Sequence, residues 1–272
     1  MLPFGVAESG VDERTKRRSL LALIVGVLLV ACGIVVAEAW PGSDTIGAEA
    51  EPTTTTTVPP TTTTTAPKPP VPVETLLATP INGDIPAYDA PGGAGVEVSR
   101  AGTWYGYPMT MPIVGEQGDW LLIRLPERPN GLTGWVRRSD VTISSTAYRI
   151  VISLSLTKVT VYKDGWESVS MPAGLGKAST PTPPGNFFVA VIEKPGSAGY
   201  GPVVLDLSGH SEAIQSWQGS GDAIIALHGP FGADAEIGTT GTYVSNGCVR
   251  LHTEDQLKLD VVPLGTPVDI VP

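Results

Sequence analysis

The chain reads as a mostly β protein, and three features of the sequence carry that reading. From Thr75 onward, short apolar stretches rich in β-branched residues alternate with Gly, Pro, Asn and Asp turn signals. Several of these stretches have the two-residue alternation of half-buried strands. Only one segment has a convincing helix start. Ahead of the strands lie an uncharged apolar run and a threonine- and proline-rich tract. The expected order is a cytoplasmic N-terminus (1–19), a transmembrane anchor (20–37), a Thr/Pro-rich linker (38–74) and two β-rich folded units (75–145 and 146–272).

Residues 11 to 18, VDERTKRR, hold four basic side chains and precede LLALIVGVLLVACGIVVA, an 18-residue uncharged run. As a helix rising ~1.5 Å per residue, that run nearly spans a hydrocarbon core. Basic residues before it and acidic ones after it (Glu38, Asp44, Glu49, Glu51) put the rest of the chain outside the cell. Three versions stay open: an uncleaved single-pass anchor, a lipoprotein acylated at Cys32 within LVAC, and a conventionally cleaved signal. The apolar GIVVA after Cys32 favours the anchor. All three export the remainder. The tract EPTTTTTVPPTTTTTAPKPPVPVE cannot bury a core and is expected to be a disordered stalk.

Net charge is −10, and residues 146–272 hold seven basic against twelve acidic side chains. With no basic stripe, nucleic acid is not an expected partner. GLGKAST lacks the first glycine and the Lys-Ser/Thr pair of a phosphate loop.

In the first unit, Trp120, Leu122 and Arg124 alternate with Leu121, Ile123 and Leu125; Asn130-Gly131 makes a turn, and Gly134-Trp135-Val136 opens the next strand. This unit resembles a small bacterial SH3-like barrel, whose usual ending is such a GWV strand. A core this small is expected to pack on its neighbour.

In the second unit, RIVISLSL sets Ile150, Ile152, Leu154 and Leu156 on one face. KVTVY, a turn at Asp164-Gly165, ESVSM, GNFFVAVIEK, a central AIIAL and a closing TPVDIV follow as strands. Thr253-Glu254-Asp255-Gln256 has the form of a capping box leading into LKLDVV, and SEAIQSW reads as a second short helix.

Cys248 is the only cysteine of the folded units, and outside the cell an unpaired thiol is either a buried small hydrophobe or a reactive group. Its neighbours Ser245, Asn246, Gly247 and Arg250 favour reactivity, which needs a base or cation to lower the thiol pKa. His228, followed by Gly229 at the end of AIIAL, is the better base because a strand end fixes it. His252 and His210 read as exposed or structural, His210 in a polar loop. A zinc site of Cys248, His252 and His228 lacks paired ligand spacing, so no metal or other cofactor is expected.

HGPFG, SNGCVRL, the TPTPPGNF turn and the YGP at Tyr200 to Pro202 together resemble the YkuD-type L,D-transpeptidase catalytic domain, over Tyr148 to Pro272. The implied fold is a β-rich catalytic domain behind the SH3-like module. The implied reaction joins peptidoglycan stem peptides, with an L,D-carboxypeptidase or a non-catalytic wall-binding protein as alternatives. On this resemblance Cys248 is the nucleophile and His228 the general base. The Gly229 carbonyl orients the His228 ring, and the Gly247 and Cys248 backbone forms an oxyanion hole. Ser245, Asn246, Arg250 and Tyr200 are the candidate substrate-site residues. Arg250 either recognises a substrate carboxylate or holds the fold through an ion pair. Tyr200, in a glycine-rich loop, is either part of a lid over the cleft or a packing residue. A His228-paired thiol with a depressed pKa, open to acylation by carbapenems, is the corresponding expectation. Two departures stand out: Asn246 where many relatives have histidine, and a longer span, GADAEIGTTGTY, between His228 and Cys248.

Overall fold

A computed structural model describes residues 67–92, 95–195, 197, 199–239 and 242–272, which lie within one compact unit running from Thr63 to Pro272. The expected cytoplasmic segment and anchor, Cys32 and most of the expected stalk lie outside the described residues. Among the described residues no helix is long and apolar enough to cross a membrane.

The first half contributes β1 (Thr75–Pro80), β2 (Ile85–Tyr88), β3 (Glu97–Ala101), β4 (Thr103–Trp104), β5 (Tyr107–Pro108), β6 (Met111–Gln117), β7 (Trp120–Arg124), β8 (Thr133–Arg137) and β9 (Val141–Thr146). Seven of them form one antiparallel sheet in the order β3-β2-β8-β7-β6-β1-β9, and β4 and β5 form a separate hairpin. The alternation in β7 is as the sequence requires, with Leu121 and Ile123 buried and Trp120, Leu122 and Arg124 half-buried. Gly131 adopts φ +87° in the turn before β8, a conformation costly for a residue with a Cβ.

The second half supplies β10 (Tyr148–Ser153), β11 (Lys158–Lys163), β12 (Trp166–Pro172), β13 (Leu175–Gly176), β14 (Gly185–Glu193), β15 (Val204–His210), β16 (Ile224–His228), β17 (Tyr243–Ser245), β18 (Val249–Arg250), α1 (Thr253–Gln256) and β19 (Pro267–Val271). Eight strands make one sheet in the order β12-β11-β10-β19-β14-β15-β16-β18, while β13 pairs with β17. The closing strand β19 sits mid-sheet, parallel to β10 and antiparallel to β14. AIIAL is interior but off-centre, between β15 and the edge strand β18.

Four local expectations need correction. β10 ends at Ser153, so Leu156 lies in the following turn at 69% exposure rather than on the buried face. α1 starts at Thr253 itself, its N-cap being His252 with no side-chain cap bond, so no capping box forms. SEAIQSW is a run of bends, held by Ser211 Oγ accepting from the Ile214 N–H. His210 is no loop residue: it ends β15 at 2% exposure.

Two apolar clusters form the core. One lies within the second half, around Ile150, Ile152, Phe187, Leu205, Leu227, Val249 and Val268. The other joins Met109, Met111, Leu121, Ile123 and Val136 of the first half to Phe188, Ala190 and Val191 of β14. Phe187 and Phe188, adjacent in the chain, thus point to opposite faces and feed different cores. Polar contacts border the shared cluster. Arg128 donates to Asp222 at 2.9 Å and to the Ser211 carbonyl, while Asn130 exchanges two hydrogen bonds with the His210 backbone. The small first unit therefore packs on its neighbour through a common core.

Candidate active site

His228 closes β16, and Cys248 immediately precedes β18, which runs parallel beside it with Leu227 opposite Val249 and His228 opposite Arg250. Ile225, Leu227 and Val249 enter the main core. By the two-residue alternation of strands, Ala226, His228, Cys248 and Arg250 then share the other face. Two strand ends thereby bring together residues twenty apart in sequence.

His228 is 4% exposed, and its Nδ1 lies 2.8 Å from its neighbour's carbonyl, Gly229 O. A carbonyl only accepts, so Nδ1 carries the proton and Nε2 keeps a lone pair. Burial pushes the imidazole down to about 4; the Gly229 bond opposes this and the Arg250 charge adds to it. The rings of Tyr200 and Phe231 lie 5.1 Å and 6.3 Å from the imidazole.

The half-buried Cys248 follows a turn tied from within. Ser245 Oγ accepts from the Gly247 N–H at 3.1 Å and donates to the Cys248 carbonyl at 2.5 Å. Gly247 has φ +124°, and its carbonyl takes the Thr182 hydroxyl at 2.8 Å. Two expectations change here. Ser245 is buried and braces the turn rather than facing the cleft. The Gly247 N–H is occupied by Ser245, so of the two candidate oxyanion donors the Cys248 N–H remains.

The thiol does not have the depressed pKa expected for a pre-ionised nucleophile. Burial pushes it up to about 11; the Ala226 backbone and the Arg250 charge oppose that rise, and Asp206 adds to it. Both members of the pair therefore rest in their neutral forms, because the site desolvates both charges.

The Arg250 guanidinium lies 5.6 Å from the Phe231 ring centre, and its Nε is buried without a partner among the described residues. Tyr200 is half-buried at the cleft. Its carbonyl accepts from the Gly229 N–H at 2.9 Å and from Gln256 Nε2 at 2.7 Å, which ties its loop to the His228 strand. Asn246 is half-buried beside the turn. His252 Nδ1 pairs with Asp234 Oδ1 at 2.8 Å, so the longer connection before Cys248 folds back onto α1's N-terminus. His210 bridges the two halves, with Nε2 2.9 Å from the Pro126 carbonyl, Nδ1 2.8 Å from Asp222 Oδ2 and Trp104 edge-on to its ring.

Sequence reasoning missed Phe231, which packs on both Tyr200 and Arg250, and Asp206, a carboxyl at 8% exposure. The signal for Asp206 was available: a single charge inside the otherwise apolar VVLDL.

Residues 147–270 match the family model of the YkuD L,D-transpeptidase catalytic domain. The YkuD protein of Bacillus licheniformis is 33% identical over 127 residues, 46% of this chain and 66% of that protein. That of Bacillus subtilis is 29% identical over 124 residues, 45% of this chain and 65% of its own length. The chain thus spans just under two thirds of these relatives. Among solved structures, an L,D-transpeptidase from Mycobacterium smegmatis aligns at 20% identity and a TM-score of 0.38, covering 58% of this chain and 80% of its own. One from Mycobacterium tuberculosis H37Rv aligns at 22% identity and 0.37, covering 57% and 76%.

Proposed function

We propose, on the premise that residues 147–270 form a YkuD-type L,D-transpeptidase catalytic domain, that the protein joins peptidoglycan stem peptides through an acyl group held on Cys248. The observation that carries this reading is that the parallel strands β16 and β18 set, on one face, a half-buried thiol and an imidazole whose Nδ1 is engaged by its neighbour's carbonyl. Nε2 is then the one nitrogen able to accept a proton.

Since both groups rest neutral, proton transfer accompanies attack instead of preceding it. His228 Nε2 takes the thiol proton as Sγ bonds the carbonyl carbon of the donor's third residue. The Cys248 N–H faces the developing oxyanion, a contact of the kind that contributes a few kcal/mol (about 3) in acyl transfer. The C–N bond breaks, and the terminal D-alanine leaves with the proton from His228. An amine of a second stem then displaces the sulfur. Arg250, a cation beside the aromatic wall with its Nε unpartnered among the described residues, is the group suited to the donor's carboxylate. Tyr200 and Asn246 line the rim. No step requires a metal or an organic cofactor.

The test is incubation of the full-length protein with defined stem peptides and mass analysis of the products. A dimer with one D-alanine lost is expected. A shortened stem without dimer would mean an L,D-carboxypeptidase, and no turnover with an intact thiol would favour a wall-binding role. For location we propose a single-pass membrane anchor with the folded units outside the cell. Cys32→Ala should then stay in the membrane fraction; a lipid label that depends on Cys32 would refute the anchor.

A further inference from the structure

Asp206 shares a cross-strand row with the nucleophile. Asp206 on β15 is paired with Ala226 on β16 and with Val191 on β14. One residue before the Leu227–Val249 pair, Ala226 stands beside Cys248, whose thiol lies 4.0 Å from the Ile224 carbonyl and also feels the Ala226 backbone. Leu205, Leu227 and Val249 alternate with these residues and enter the main core, so Cys248, Ala226 and Asp206 project to the opposite face of the sheet, where Val191, the β14 partner of Asp206, enters the core shared with the first half. With neighbouring strands ~4.8 Å apart, the Cys248 and Asp206 Cα atoms stand roughly 10 Å apart, with Ala226 between them.

The Asp206 side chain is more than nine-tenths buried, and neither a hydrogen bond nor a cation is among the influences on its carboxyl. The groups that act on it or feel it are Glu193 from β14, Tyr107 from β5, Tyr200 and Cys248, none of them a cation. The Tyr107 hydroxyl is engaged with Glu193 at 3.0 Å. Burial, with a smaller contribution from Glu193, lifts the Asp206 carboxyl to about 7. A buried carboxyl with no cation beside it is costly, and it suits a cationic ligand.

We propose that the amine of the acceptor stem binds over Ala226, between Cys248 and Asp206, and that Asp206 pairs with its ammonium and takes its proton. This deepens the acyl-transfer reading and rests on it. An ammonium has no lone pair, so an acceptor amine must lose a proton before it attacks. The Asp206 carboxylate accepts that proton, and the freed lone pair forms a C–N bond to the thioester carbon. His228 Nε2 takes a second proton from the nitrogen of the tetrahedral adduct. The C–S bond then breaks, and His228 returns that proton to Sγ. The proton on Asp206 passes to solvent. A new amide and a free thiol result, and one proton is released.

The test separates the two half-reactions in the full-length protein. Acyl-enzyme formation with a donor tetrapeptide is followed by intact mass; transfer is followed as dimer yield against acceptor concentration and pH, using a stem that carries a side-chain amine. In Asp206→Asn the thiol should still acylate, while transfer falls on the order of 100-fold and hydrolysis of the thioester becomes the main fate. Transfer by Asp206→Asn should recover toward alkaline pH, where the amine is neutral without help. Ala226→Leu should raise the acceptor KM, and Asp206→Glu should restore part of the transfer. Normal dimer yield and an unaltered pH profile in Asp206→Asn would overturn the proposal. If Asp206→Asn does not fold by circular dichroism, an unchanged acceptor KM in Ala226→Leu overturns it instead. Absence of any adduct on Cys248 in the unmutated protein would refute the acyl-transfer reading, a distinct failure.

Discussion

Cys248 and His228 meet where desolvation disfavours both the thiolate and the imidazolium, which makes their pH behaviour unlike that of a pre-ionised thiol. The reactive pair, neutral thiol and neutral imidazole, persists from above about 4 to below about 11. The rate of acylation by a carbapenem, read by intact mass, is therefore expected to stay level through the neutral range, without a step at the ordinary histidine pKa. Cys248→Ala should remove the adduct, and His228→Ala should slow its formation by about 100-fold or more. Asp206 has the opposite linkage from His228. Its pKa is raised from 3.8 to about 7, so the folded state holds a proton that the unfolded state releases across that window. Stability associated with Asp206 is present below 3.8 and lost as pH rises through about 7. Asp206→Asn is thus expected to melt at a higher temperature than the parent at pH 8 and at a similar one at pH 4, as calorimetry would show. A variant that is more stable yet worse at transfer is the signature of a group kept for function.

At the scale of elements, the site depends on how tightly β16, β18 and the Tyr200 loop are laced. A Cβ on Gly229 would stand 3.0 Å from the Gly199 and Tyr200 carbonyl oxygens, both backbone atoms. Gly229→Ala should push that loop away, weaken the bond from the Gly229 N–H to the Tyr200 carbonyl, and slow acylation more than it lowers the melting temperature. Ser245→Ala is expected to be worse than its exposed-looking sequence context suggests. It strands the buried Gly247 N–H and frees the Cys248 carbonyl, a loss of about 1–3 kcal/mol in stability with slower acylation. Chemical denaturation beside adduct kinetics would measure both.

The whole molecule places the first sheet against the outer face of β14, so the two halves share one of their cores. Deleting residues 75–145 would expose Phe188, Ala190 and Val191 and leave Asp222 without Arg128. The truncated chain is expected to aggregate or melt well below the intact protein, and to lose activity alike on small stem peptides and on intact sacculi. Greater loss on sacculi than on peptides, with the melting temperature preserved, would mean that the first unit serves to hold the wall. Arg128→Ala should weaken the same seam without truncation. Its guanidinium binds one carboxylate and two backbone carbonyls in a half-buried position, and differential scanning would reveal the loss.

Local pattern alone determined a good deal of this protein. Two-residue alternation marks β7, and turn chemistry marks Asp164-Gly165, where φ is positive at both residues. The unpaired Cys248 and the strand-end His228 identify the candidate pair, because reactivity and rigidity are properties of residue type and neighbouring sequence. Tertiary structure decided the rest. Whether Ser245 faces the cleft or the turn depends on which strand backs it, and whether His210 is exposed depends on a sheet from the other half of the chain. The charge state of Cys248 follows from how much water the packed strands exclude, a quantity that no stretch of residues sets on its own. The nearness of Asp206 to Cys248 comes from strand register, which joins positions far apart in sequence only once the sheet has formed.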